Sequence, residues 1–253
     1  MTFFKSIGII WLVCFVAITC AQSTRPQLSF GFPKGDTARY YKKLRFWGTQ
    51  YFIPELRSKG KVPFMDAKGR YLGYTADTCD FCEAALEGTV ILKDASGAVV
   101  VLNFETYGDS SVVDCSKCKR FSKSSLDVKR WGLKRWFVSS GYGNGVKGYH
   151  LVPFRTVAVD PAFIAYGSVL YIPAARGVSV ILSDGTTIVH DGYFFAGDTG
   201  SAIVGNHIDF FTGTSKLNPF KAFLKSTSQE SFVAYLVPDT AIVKTLRNSH
   251  TQK

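Results

Sequence analysis

Ala196-Gly197-Asp198-Thr199-Gly200-Ser201-Ala202-Ile203-Val204-Gly205-Asn206-His207-Ile208-Asp209-Phe210-Phe211 is the stretch on which the fold and the chemistry turn. Asp209 lies on a β-like run between Ile208 and the pair Phe210-Phe211. An unpaired carboxylate is costly in such surroundings, so a site role is its strongest reading. Asp198 stands before Thr199-Gly200, where an aspartate either caps a turn or serves a site. His207, taken alone, reads as a packed and hydrogen-bonded histidine.

Working outward, the flanks are short strands. Arg155–Val159, Ser168–Ile172, Val178–Leu182, Thr186–His190 and Tyr193–Ala196 follow closely on one another. Ser183-Asp184-Gly185 and Asp191-Gly192 supply turn signals between them. Asp160 precedes Pro161 and reads as a structural turn or ladder-end residue. Beyond the stretch, a helical segment is expected around Leu217–Leu224, then a last strand at Phe232–Val237. Toward the N-terminus, the aromatic run Leu44–Ile53 ends at Pro54. Val62–Met65 and Arg70–Tyr74 flank one turn, and Thr89–Lys93 and Ala98–Phe104 flank another, at Asp94-Ala95-Ser96-Gly97. Many short strands with long crossovers argue for a closed barrel rather than a parallel sheet.

Three local patterns mislead. Gly143-x-Gly145-x-x-Gly148 has dinucleotide-loop spacing, but Pro153 and a β run follow it instead of a helix, so it reads as a loop. The basic-aromatic run from Lys129 to Trp136, read as a helix over Leu126–Phe137, either contacts an anionic glycan or membrane or, as the favoured reading, packs its Trp residues and leaves a solvated basic face. Asp198-Thr199-Gly200-Ser201 is the tetrapeptide of pepsin-like proteases. Those need two such aspartates sharing a proton, and one D-T-G occurs here. An aspartic protease is therefore the least supported alternative.

The chain has 253 residues, 46% hydrophobic, with 30 Lys+Arg against 19 Asp+Glu. A formal charge of +11 points to an anionic partner or surface. Met1–Lys5 followed by the uncharged apolar run Ile7–Ala21 suits a signal peptide and falls short of the roughly 20 residues of a membrane span. Cleavage after Ala21 gives a soluble exported protein. Processing at Cys20 would instead give a lipid anchor, from a poor lipobox. Periplasm or outer-membrane association is the expected location, and export makes nucleic acid an improbable partner. Four cysteines remain, as Cys79-x-x-Cys82 and Cys115-x-x-Cys118. They suit either one structural zinc or two disulfides. In both cases they act as a staple between insertion and barrel. Four ligands leave no open position for a catalytic metal, and no cofactor is expected for catalysis.

The three aspartates Asp160, Asp198 and Asp209, in the setting from Arg155 to Gly213, resemble those of the 3D domain. The second half, with its Gly-x-His-x-Asp ending, also resembles membrane-bound lytic transglycosylase A. The strand Trp47-Gly48-Thr49-Gln50-Tyr51 is similar to that family's first barrel strand. The resemblance implies a mainly β fold: a double-psi β-barrel with an inserted subdomain and short helices. It implies cleavage of peptidoglycan glycan strands with a 1,6-anhydro product. The catalytic residues would be Asp209, as acid and then base, and Asp198 beside it. Thr49, Tyr51, Gly200, Ala202 and His207 would bind substrate. The expected layout is a leader over 1–21, a lead-in over 22–43, the first part of the barrel over 44–104, an insertion over 105–150, the 3D domain over 151–238, and a polar tail over 239–253. The expected partners are glycan strands and the anionic wall surface, met by a monomer. A non-catalytic, expansin-like wall-binding module is the competing class.

Overall fold

A computed structural model of the chain describes residues 30–40, 42–124, 126–238 and 240–251. The expected leader, with Cys14 and Cys20, lies outside the described residues. In chain order the elements are β1 (Lys42–Tyr51), β2 (Glu55–Arg57), β3 (Val62–Met65), β4 (Tyr71–Ala76), α1 (Thr78–Glu87), β5 (Thr89–Lys93), β6 (Val99–Tyr107), β7 (Lys134–Ser139), β8 (Thr156–Val159) and β9 (Val169–Tyr171). They continue with β10 (Ser179–Ile181), β11 (Thr187–Val189), β12 (Tyr193–Asp198), β13 (His207–Phe211), β14 (Phe232–Val237) and α2 (Ala241–Ser249).

Six strands close a barrel in the order β1-β13-β8-β12-β9-β14. The pairs β1/β13 and β8/β12 are parallel, and the remaining neighbours are antiparallel. The fold is mainly β, a double-psi barrel with an inserted subdomain and few short helices. Strand periodicity sorts its side chains. In β12, Phe194 and Ala196 point into the barrel core with Val157, Leu170, Ile208 and Phe210. Tyr193 and Phe195 of the same strand point outward, under Val243 and Leu246 of α2. Each such aromatic ring, fully buried, contributes about 1.5–3 kcal/mol.

The insertion is larger than its sequence suggests. Of residues 44–104, only β1 joins the barrel. β2, β5, β6 and β7 form a separate four-stranded sheet, and β3/β4 a hairpin. This subdomain has its own core, built around Phe64, Phe81, Leu92, Leu102 and Trp136. The β5–β6 hairpin is where it was expected, but in this sheet. The basic helix over Leu126–Phe137 is absent. Val128–Leu133 is a short 3-10 segment and Lys134–Ser139 is strand β7. Gly132 lies so close to the Val113 carbonyl that a Cβ would stand 2.0 Å from it, and Trp136-Phe137-Val138 pair with β6. The segment near Leu217–Leu224 is a series of turns instead of a helix, anchored by buried Phe220 and Leu224. The polar tail folds into α2, which buries His250 completely.

The cysteines pair as Cys79–Cys118 and Cys82–Cys115. This arrangement is the disulfide one of the two expected alternatives. Both bonds join α1 to the 3-10 segment Cys115–Lys117 and the residue after it. They staple the insertion to itself and not to the barrel, which corrects the expected role.

Candidate active site

The parallel register of β1 and β13 sets Trp47 opposite His207, Thr49 opposite Asp209 and Tyr51 opposite Phe211. Alternate residues share a face, so Trp47, Thr49, Tyr51, His207 and Asp209 gather on one side. β12 ends at Asp198, on the far side of β8, whose Ala158 pairs with both Asp198 and Asp209. The two carboxylates therefore flank a single small residue. They open into a cleft of about 260 Å³ lined also by Gln50, Tyr51, Ala158, Gly200 and Ala202 on the barrel side. Leu86, Glu87 and Leu126 of the insertion form the opposite wall.

Each carboxylate is held by β1. The Thr49 hydroxyl donates to Asp209 Oδ1 at 2.8 Å. The Tyr51 hydroxyl donates to Asp198 Oδ2 at 2.6 Å. Burial pushes Asp209 up to about 7; the Thr49 hydrogen bond opposes this and the Asp198 charge adds to it. Burial pushes Asp198 up to about 6, against the pull of Tyr51 and the Thr199 N–H. Tyr51 itself is driven well above its ordinary range, by burial first and then by the charge of Asp198. Asp209 is thus a protonatable acid close to neutral pH, with a neighbour that ionises more readily.

His207 is not among the residues that line the cleft. Its ring stacks on Trp47 with centroids 3.7 Å apart, its Nε2 meets Thr49 Oγ1 at 2.9 Å, and its Nδ1 meets the Ala202 carbonyl at 3.2 Å. Thr49 is likewise absent from the lining residues and reaches the cleft only through its hydrogen bond to Asp209. Gly200 and Ala202 line the cleft directly. Asp160 is outside it. Its Oδ1 accepts from the Ala162 N–H at 2.9 Å and its Oδ2 from the Gly205 N–H at 2.7 Å. These bonds clip the loop between β12 and β13 to the end of β8, and they hold the Asp160 carboxyl below its ordinary range.

Residues 155–218 match the family model of the 3D domain. The resemblance carried by Asp160, Asp198 and Asp209 is thereby shown, over about a quarter of the chain. No curated protein matches the chain in sequence. Among solved structures, the membrane-bound lytic murein transglycosylase from Agrobacterium tumefaciens is similar at 15% identity and a TM-score of 0.51, over 81% of this chain and 78% of that one. MltA from Neisseria gonorrhoeae aligns at 14% identity and TM-score 0.48, over 78% and 73% of the two chains. E. coli MltA with bound chitohexaose aligns at 15% and 0.46, over 76% and 71%. At these identities the likeness to the Agrobacterium structure establishes a common fold.

The sequence reasoning missed Glu87. It is the last residue of α1, and nothing local sets it apart from the acidic residues of that helix. Only the tertiary placement of the insertion brings it to the cleft that Asp209 lines. The Gly143-Gly145-Gly148 pattern forms a loop between β7 and β8, with a 3-10 turn at Val146–Gly148 and no following helix.

Proposed function

We propose that this chain is a peptidoglycan lytic transglycosylase that cleaves the β-1,4 bond between N-acetylmuramic acid and N-acetylglucosamine. The observation that carries the reading is the pair Asp209 and Asp198 at one cleft, with Asp209 near neutrality in its proton affinity. An ordinary glycosidase needs two carboxylates, one as acid and one as base or nucleophile. Transglycosylation can use one. Asp209 gives its proton to the glycosidic oxygen as the bond to C1 breaks. The muramyl C6 hydroxyl attacks C1, and Asp209 takes the C6 proton. One C–O bond breaks, one C–O bond forms, and Asp209 ends with the proton it began with. Asp198, anchored by Tyr51, supplies a nearby charge that keeps Asp209 protonated. Tyr51, Gly200 and Ala202 line the sugar site, and Thr49 and His207 support it from behind.

The two disulfides fit an oxidising, extracytoplasmic compartment. The net positive charge fits an anionic wall. The similar Agrobacterium protein is a membrane-bound lytic murein transglycosylase, and no described helix of this chain is long and apolar enough to cross a membrane. Digestion of purified peptidoglycan tests the reading. Anhydro ends mean transglycosylase and support it. Free reducing ends mean a hydrolase, and no new ends mean a binding module; either overturns it.

A further inference from the structure

The far wall of the cleft carries a carboxyl that the one-aspartate mechanism does not use. Glu87 closes α1, and Gly88, at φ 78°, caps the helix in the left-handed region and turns the chain into β5. One helical turn earlier, the Glu83 carboxylate meets Arg120 at 2.5 Å and Lys216 at 3.7 Å. Lys216 belongs to the barrel loop after β13, and its carbonyl accepts from Gln50 Nε2 at 2.9 Å. The helix face that bears Glu87 is therefore tied down over the barrel. The Glu87 carboxyl itself, half-buried and facing the cleft, has neither a hydrogen bond nor an ion pair among the described residues. A carboxyl at the cleft with no protein partner keeps its hydrogen-bonding capacity for a ligand.

We propose that Glu87 is a substrate-facing residue whose carboxyl hydrogen-bonds the amino sugar seated over Asp209, so that the insertion subdomain supplies part of the glycan's polar contacts. The inference rests on the cleft being a glycan site. A protonated carboxyl offers one donor and retains acceptors, which matches the mixed hydroxyl and N-acetyl surface of a β-1,4-linked hexosamine chain. The groups facing Glu87 favour this state. Burial pushes it up to about 8, the charges of Asp209 and Glu83 push the same way, and Lys134 and Lys216 oppose them. Lys134, the nearest cation on β7, is itself brought down to about 8 by burial, with Glu87 opposing. The position of Glu87 at the C-terminal end of α1 also disfavours a negative charge. A neutral Glu87 adds no second like charge beside Asp209.

The test is calorimetric titration of chitohexaose into the wild-type protein, Glu87→Gln and Glu87→Ala, at pH 6 and pH 9.5, beside muropeptide release and melting temperature. The amide keeps a donor and an acceptor and cannot ionise. Glu87→Gln should bind within about twofold of wild type at pH 6, and at least about fivefold more tightly than wild type at pH 9.5. Glu87→Ala should bind about fivefold more weakly at pH 6, the effect of one neutral hydrogen bond. Asp209 titrates in both wild type and Glu87→Gln, so their ratio isolates Glu87. Equal binding by Glu87→Ala and wild type overturns the proposal, as does a wild-type to Glu87→Gln ratio that ignores pH. A folded, glycan-binding Glu87→Gln that releases no muropeptides also overturns it, because Glu87 would then be a proton-transfer group. Should Glu87→Ala fail to fold, the pH dependence of the ratio alone decides. Failure of the glycan reading has a different signature: the wild-type protein itself neither binds chitohexaose nor releases muropeptides.

Discussion

The Thr49 hydroxyl bridges Asp209 and His207, at 2.8 Å from Asp209 Oδ1 and 2.9 Å from His207 Nε2. A proton inventory of this row fixes which state it prefers. The Ala202 carbonyl can only accept, so the hydrogen between it and His207 sits on Nδ1. Burial lowers the proton affinity of His207, with the Ala202 bond opposing, which favours a neutral ring. Thr49 has a single hydrogen and cannot give it to both neighbours. It goes to Asp209 Oδ1, so that His207 Nε2 faces the Thr49 oxygen without receiving its hydrogen. The Thr49 bond thus favours the carboxylate form of Asp209, against the burial that favours its acid form.

Thr49→Val should expose this coupling. The Thr49 hydrogen bond lowers the proton affinity of Asp209, so its loss moves Asp209 further up. The alkaline limb of the kcat profile, where Asp209 loses its proton, should move to higher pH. The positioning lost with the bridge should cost about tenfold in kcat. Thr49→Ser should restore both. An alkaline limb that stays in place while kcat falls would mean that Thr49 does not act through Asp209.

The disulfides bear on the cleft through Leu126, which lines it from the stapled part of the insertion. Replacing Cys82 and Cys115 together by Ser should destabilise the protein by about 2–5 kcal/mol. Calorimetry should place the loss in the insertion, whose core holds all four sulfurs, while the barrel transition stays. Glycan affinity should fall with it, and reduction of the wild-type protein should reproduce both effects. A reduced protein with unchanged melting and binding would refute this.

Asp160 predicts a separate pH effect of known sign. Its carboxyl lies below the ordinary range because it accepts the Gly205 and Ala162 N–H groups. The stabilisation is present above the carboxyl's unfolded value of about 4 and is lost as pH falls through the lower, folded value. Amide exchange at Gly205 should therefore quicken in strong acid. Asp160→Ala should show the same fast exchange at neutral pH, with the barrel strands still protected. Slow exchange at Gly205 in the variant would sink the assigned role.

How much of this was legible in the sequence follows from the range of the forces involved. Asp198 and Asp209 lie on strands whose identity is local, and their chemistry follows from apolar neighbours in the chain. The β5–β6 hairpin was legible too, but not the sheet it joins. That depends on β5 pairing in parallel with β2 and on β6 pairing with β7, contacts that no local pattern encodes. The basic run misread as a helix has Trp131 and Trp136 in one core, which helix and strand patterns can both satisfy. Breaking it took the close approach of Gly132 to Val113. The partners of His207, Trp47 and Thr49, lie some 160 residues away in the chain, so its stacked and hydrogen-bonded setting was invisible.

Asp209→Asn is the decisive substitution. The amide keeps the size of the side chain and an acceptor for Thr49, but it has no proton to give to the glycosidic oxygen and cannot collect the C6 proton. Acid–base catalysis by one group is commonly worth about 10²–10⁴-fold, and here one group serves both steps, so the loss should reach or exceed the top of that range. The fold should not suffer. With its proton affinity raised to about 7 by burial, wild-type Asp209 favours folding fully only below its unfolded value of about 4 and loses that contribution as pH rises to 7. Asparagine has no such penalty, so the variant's melting temperature should equal or exceed that of wild type, with a gap that opens between about pH 4 and 7 and then stays constant. Asp198→Asn should lose less activity. Its charge raises the proton affinity of Asp209, so the alkaline limb should move to lower pH. A folded Asp209→Asn protein that still releases muropeptides at the wild-type rate would remove Asp209 from the chemistry and leave the cleft without its acid.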